Sequence, residues 1–186
     1  PELEPLERAD LLGDTWATTL AGRSSLREFL VLASRLGLEP DPAPWAPVAA
    51  ALVLCRRIAR PEHDDALHHA VAELIGPTHR RLGFDSVPGE SERTPSLRAL
   101  AINLMGTVGA DAAVRAEAAR RFDASPIGGG AGEPITADIE TAVLAVVAQL
   151  VRPGDFDALL ERYRTASTPQ EEMRSLGALA GFPDVE

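Results

Sequence analysis

Residues 97–108 read Leu-Arg-Ala-Leu-Ala-Ile-Asn-Leu-Met-Gly-Thr-Val. The apolar positions Leu97, Leu100, Ala101, Leu104, Met105 and Val108 recur at spacings of three and four. That period places them on one face of a helix; a half-buried strand would alternate every second residue. The same spacing recurs on both sides. Leu26, Phe29, Leu30, Ala33 and Leu36 form one stripe, and Val48, Ala51, Leu52, Cys55 and Ile58 another. Leu67, Val71, Leu74 and Ile75 follow. Ile139, Val143, Val146, Val147 and Leu150 continue the series, then Phe156, Leu159, Leu160 and Tyr163. No segment shows convincing period-two alternation.

Start and stop signals divide this pattern. Ser25 with Glu28, and Thr168 with Glu171, have capping-box spacing, with Pro169 at the favoured first helical position. Thr94-Pro95, Asp111 and Thr136 also read as helix starts. Gly22, Gly37, Gly109 and Gly181 stand where helices stop, and Gly76-Pro77 should kink or break the segment after Pro61. The expected helices are 6–21, 25–36, 45–59, 62–82, 95–108, 111–123, 136–151, 154–165 and 169–180. Two longer loops separate them, Asp85 to Arg93 and Ser125 to Pro134.

Taken in pairs, these helices make hairpins of roughly 40 residues, the size of HEAT or armadillo units. The expected fold is therefore all-α: an irregular HEAT/armadillo-like helical-hairpin solenoid, an α-α superhelix of eight or nine helices. Residues 1–186 read as one helical-repeat domain. Helix 169–180 is left without a partner in this pairing, and its stripe of Met173, Leu176, Leu179 and Ala180 should fray or cover itself against a second copy. That open end, and a first residue Pro1 rather than Met, lead to the expectation that the chain is a piece of a longer protein.

Composition narrows the function. Aromatic residues make up 4 %, which suits close helix crossings better than a sheet. All 18 basic residues are Arg against 28 acidic ones, a net charge of −10. Phosphate backbones and anionic lipid surfaces require a basic face, so neither nucleic acid nor membrane is expected as a partner. No apolar run approaches the roughly 20 residues of a membrane span. A single cysteine, Cys55, permits no internal disulfide and fits a reducing, cytoplasmic setting.

Few residues invite chemistry. His63, Asp64, Asp65, His68 and His69 are the densest polar cluster, with i,i+4 pairs Asp64–His68 and Asp65–His69. A catalytic zinc needs three protein ligands, and no third is evident, so a solvated helix start is the better reading. Gly128, Gly129, Gly130 and Gly132 follow a helix rather than a strand and lack a Lys-Ser/Thr, so they read as a flexible connector rather than a phosphate loop. Cys55 reads as a small core residue, Trp16 and Trp45 as packing anchors, and Tyr163 as either packing or contact. The pairs Arg56–Arg57, Arg80–Arg81 and Arg120–Arg121 read mostly as surface ion pairs. Catalytic, cofactor-binding and metal residues are expected to be none.

Several passages resemble the C-terminal helical domain of aminopeptidase N-type zinc enzymes. They are Arg8, Leu11-Leu12 and Asp14; Leu36, Glu39 and Trp45; Leu97-Arg98, Gly109, Ala118 and Phe122; and Tyr163, Ala166, Thr168-Pro169, Glu171-Glu172, Arg174, Leu176 and Ala178-Leu179-Ala180. The resemblance implies a helical domain that packs on a thermolysin-like catalytic domain in cis and encloses a chamber for the peptide substrate. It implies zinc in that parent catalytic domain. The chain itself lacks His-Glu-x-x-His and Gly-x-Met-x-Asn, so no catalytic residue carries over to any position. The alternative is a free-standing HEAT-like scaffold that binds a protein or peptide in its groove.

Overall fold

The computed structural model describes residues 3–183. Among them every regular element is helical, and no strand occurs. The chain divides into two compact units, Pro1–Gly109 and Ala110–Glu186.

The first unit contains α1 (Pro5–Leu20), α2 (Leu26–Ala33), α3 (Trp45–Ile58), α4 (Asp64–Leu74), α5 (Gly76–Leu82) and α6 (Thr94–Gly106). Short 3-10 turns at Ser34–Leu36 and Pro61–His63 lead out of α2 and into α4. The Ser25–Glu28 capping box forms in full: Glu28 N–H donates to Ser25 Oγ at 3.2 Å, and Ser25 N–H to the Glu28 carboxylate at 2.7 Å. Segment 62–82 breaks at Gly76-Pro77 into α4 and α5, because proline supplies no N–H there to continue the first helix. Gly109 is needed for close packing. A Cβ there would sit 2.8 Å from Val71 Cγ1, so only glycine lets the chain pass α4 at that distance.

α6 runs through the middle of this unit. Leu97, Arg98, Ala101, Ile102, Leu104 and Met105 are all buried, so the helix is covered on more than the one face its stripe suggested. α5 and α4 pack on it, and α1 packs on α2 and α3 around Phe29, Trp45, Val48 and Leu52.

The second unit contains α7 (Ala112–Ala124), α8 (Ala137–Ala148), α9 (Asp155–Arg164) and α10 (Pro169–Leu179). Asp111 caps α7 through Val114 N–H at 2.9 Å. Here α8 is the covered helix, with Ile139, Val143, Leu144, Val146 and Val147 buried and α7, α9 and α10 packed around it. Burying a leucine such as Leu144 completely contributes on the order of 1.5–3 kcal/mol. Thr168 caps α10, its hydroxyl oxygen accepting from Glu171 N–H at 3.2 Å, but the Glu171 carboxylate turns to Ser167 instead of the cap backbone.

Two expectations change. The break at Gly76 makes ten α-helices among the described residues, so Pro169–Leu179 is not left over. It packs on α9 and α8 through Ser175 and Ala178, while α7 pairs with α8. Pairing of successive helices in this manner fits a helical solenoid. The glycine-rich stretch is also no slack connector. Gly130 N–H donates to Ser125 O at 2.9 Å and Gly132 N–H to Ala124 O at 2.9 Å, folding the loop back over the end of α7. A Cβ on Gly128 or Gly130 would lie 2.3 Å from a backbone carbonyl oxygen of that helix.

Candidate functional site

The polar cluster at the start of α4 spreads its side chains apart. Asp64 accepts from Arg56 at 2.9 Å, and His69 pairs with Glu73 at 3.2 Å on an exposed surface. Among the described residues no three His, Cys, Asp or Glu side chains are grouped to hold a metal ion. The sequence resemblance implies zinc in a parent catalytic domain and asks for no donor set in this chain.

The other singled-out residues serve packing. Trp45 is buried and donates its indole N–H to Glu39 O at 3.2 Å, and Trp16 lies against Phe29 with ring centroids 5.1 Å apart. Cys55 is half-buried, and burial pushes its thiol pKa up, away from the reactive thiolate. Tyr163 is half-buried on α9. Arg120 and Arg121 do meet at one point, although neighbours on a helix diverge by about 100°. Glu117 lies one turn earlier and accepts from both at 2.7 Å. The Arg120 hydrogen bond, then Arg121, hold its pKa down at about 2 against the opposing effect of burial.

The more consequential ion pairs escaped the sequence reading. Arg98, almost fully buried in α6, is bonded to Glu90 and donates to Leu82 O at 3.3 Å. Glu140, buried on α8, is shared by Arg162 of α9 and Arg174 of α10. Arg152 bridges Asp123 and Asp155, whose hydrogen bonds raise its pKa further. Its guanidinium also lies 5.9 Å from the Phe122 ring centroid. A signal for two of these arrangements does exist in the sequence. Arg98 shares a helical face with Ala101, Ile102 and Met105, and Glu140 shares one with Val143, Leu144 and Val147. A charge in an apolar column needs a partner.

The first unit carries two surface depressions. An apolar groove of about 590 Å³ lies between α2 and α4, lined by Leu26, Leu30, Val31, Leu38, Leu74 and Pro77, with Arg27 and Glu73 also on its wall. A second, polar depression of about 550 Å³ has Arg8, Arg35 and Arg93 around Glu39 and Asp41. Ala43 N–H first, then Arg93 and Arg8, hold the Asp41 pKa below its usual value. Neither depression contains a nucleophile paired with a base. The arrangement can position helices and present surfaces for docking.

A family model described as the ERAP1-like C-terminal domain matches residues 1–186. The chain belongs to that family. This ERAP1-like C-terminal domain is 29 % identical over 194 residues to Aminopeptidase M1 of Arabidopsis thaliana, an alignment covering 98 % of the chain and 21 % of the relative. It is 26 % identical over 195 residues to Aminopeptidase M1-A of Oryza sativa subsp. japonica, again 98 % and 21 %. It is also 25 % identical over 182 residues to a Puromycin-sensitive aminopeptidase of Caenorhabditis elegans, covering 96 % and 19 %. The chain thus spans about a fifth of the length of the curated relatives it matches. Among the described residues, no helix is long and apolar enough to cross a membrane.

Proposed function

We propose that residues 1–186 form the C-terminal helical domain of a zinc-dependent aminopeptidase. In this reading both units belong to one HEAT-like domain. The domain packs on a catalytic domain in cis, helps enclose a chamber for peptide substrate, and is not catalytic alone. Zinc belongs to the catalytic portion, and the assembly acts in the cytoplasm. The observation that carries the reading is the family match along the whole chain, combined with aminopeptidase relatives of which it spans 21 %.

The physical picture agrees with a supporting role. Buried ion pairs and two largely covered helices, α6 and α8, give each unit a packed, charge-paired interior. Catalysis of metal-dependent hydrolysis would need ligands and an activated water held in an open coordination position.

The test is the full reading frame. It should encode His-Glu-x-x-His upstream, and its product should release N-terminal amino acids from peptides. Removing residues 1–186 from that product should cut peptide turnover strongly. A frame without the zinc motif, or a shortened product with unchanged peptide turnover, would overturn the proposal.

The apolar groove between α2 and α4 favours a second reading, a free-standing scaffold that binds a protein or peptide. The same reading frame separates the two.

A further inference from the structure

The polar depression of the first unit has an unusual charge balance for this chain. The protein carries a net charge of −10, yet three guanidiniums gather here around two carboxylates. Both carboxylates are already committed. Asp41 Oδ1 accepts from Ala43 N–H at 2.9 Å, and Oδ2 is bonded to Arg93. Glu39 Oε1 accepts from Asp41 N–H at 3.0 Å, and Oε2 lies 2.6 Å from Arg8. The two acids are 8 % exposed each, so little of them remains for a further cation.

Arg8 and Arg93 are thereby matched one to one. Arg35, in the 3-10 turn Ser34–Leu36, is exposed and has no acidic partner among the described residues. It leaves the depression with one uncompensated positive charge. Arg93 adds donors not spent on Asp41, since its side chain remains 67 % exposed. A guanidinium offers a planar fork whose two N–H groups match the two oxygens of a carboxylate. One carboxylate also balances the single excess charge, whereas a phosphate dianion would overshoot it.

We propose that this depression is a binding site for a single carboxylate, gripped by the fork of Arg35 with Arg93 beside it. The site goes beyond the aminopeptidase reading and does not depend on it. Arg8, Glu39 and Asp41 build its floor and hold Arg93 in place; Arg35 supplies the open charge. The carboxylate can come from a small organic acid or from an acidic side chain on a peptide.

The test uses the 186-residue chain with its arginine side-chain N–H signals followed by NMR at constant ionic strength. Acetate and N-acetylglycine should shift the Arg35 signal saturably, and the neutral analogue N-acetylglycinamide should not. Arg35→Gln should weaken carboxylate binding at least about tenfold, the loss of one charge-assisted contact. It should leave the melting temperature unchanged, because Arg35 holds no ion pair among the described residues. Arg93→Gln should weaken binding and lower the melting temperature as well, because it strips Asp41. A C-terminally amidated peptide with one Asp, binding more tightly than acetate, would assign the site to a polypeptide side chain; equal binding would assign it to small acids. A response shared by N-acetylglycinamide, a non-saturating drift, tighter binding of inorganic phosphate at pH 8, or unchanged binding in Arg35→Gln would overturn the proposal.

Discussion

Arg174 Nη1 of α10 donates to Glu140 Oε2 of α8 at 2.8 Å, across thirty-four residues of sequence. Arg162 of α9 occupies the other oxygen of the same carboxylate, so one buried acid ties three helices. Glu140→Ala would leave two largely covered guanidiniums without their counter-charge. We expect it to destabilise the second unit by about 2–4 kcal/mol in chemical denaturation, reduced from the fully buried case because both arginines keep some solvent. Glu73→Ala, which removes only the exposed His69 pair, should cost less than about 0.5 kcal/mol. Equal effects for the two would show that Glu140 contributes no more than a surface pair.

One substitution should have opposite signs at two glycines. Gly130→Ala drives a Cβ to 2.3 Å from Ala124 O and should cost about 1–3 kcal/mol. Gly177 lies inside α10 with nothing within 4 Å of the added methyl. Gly177→Ala should therefore stabilise by about 0.5–1 kcal/mol through better helix propensity. Thermal melts of both variants decide it, and a harmless Gly130→Ala would mean the loop is not seated on α7.

Glu117 predicts part of the acid sensitivity. Its folded pKa of about 2 lies below the unfolded value, so its pairing with Arg120 and Arg121 stabilises fully above roughly pH 5. That contribution fades as the pH falls through about 4 toward 2. Exposure of Arg120 keeps it below about 1 kcal/mol. The drop in denaturation midpoint between pH 7 and pH 3 should be smaller in Glu117→Gln than in the parent sequence. An identical drop would remove Glu117 from the account.

The outer face of α10 carries Met173, 64 % exposed, and Leu176, 43 % exposed, with Ala180 in line. The isolated chain should associate through this face or fray there. Sedimentation should show concentration dependence that Met173→Glu with Leu176→Gln removes, at little cost in stability. A strict monomer whose α10 amides exchange as slowly as those of α8 would contradict this.

The isolated chain should hydrolyse no aminoacyl amide, with or without added zinc. Turnover that rises in proportion to chain concentration and survives repurification would contradict the missing ligand set.

Local signals carried the sequence reading a long way. The helical period, the Ser25–Glu28 box, the Asp111 cap and the break at Gly76-Pro77 all act over three to five residues, so they are legible in the chain itself. Arg8, Glu39 and Trp45 were legible as a family pattern. Only the folded chain shows why they go together: Arg8 holds the carboxylate of Glu39, and Trp45 holds its backbone carbonyl. The periodic stripes also understated α6 and α8, because a stripe reports one covered face and packing from several neighbours covers the rest.

What the sequence by itself determined is the all-helical architecture, most helix starts, the family, and the absence of the family's zinc motif from these residues. Tertiary structure alone decided which helices pair, how the glycine loop seats on α7, and which acid each buried arginine meets. The physical reason is range. Helix period and caps are written within a turn or two, whereas Glu140 and Arg174, or Asp41 and Arg93, become neighbours only when packing brings distant helices and loops together.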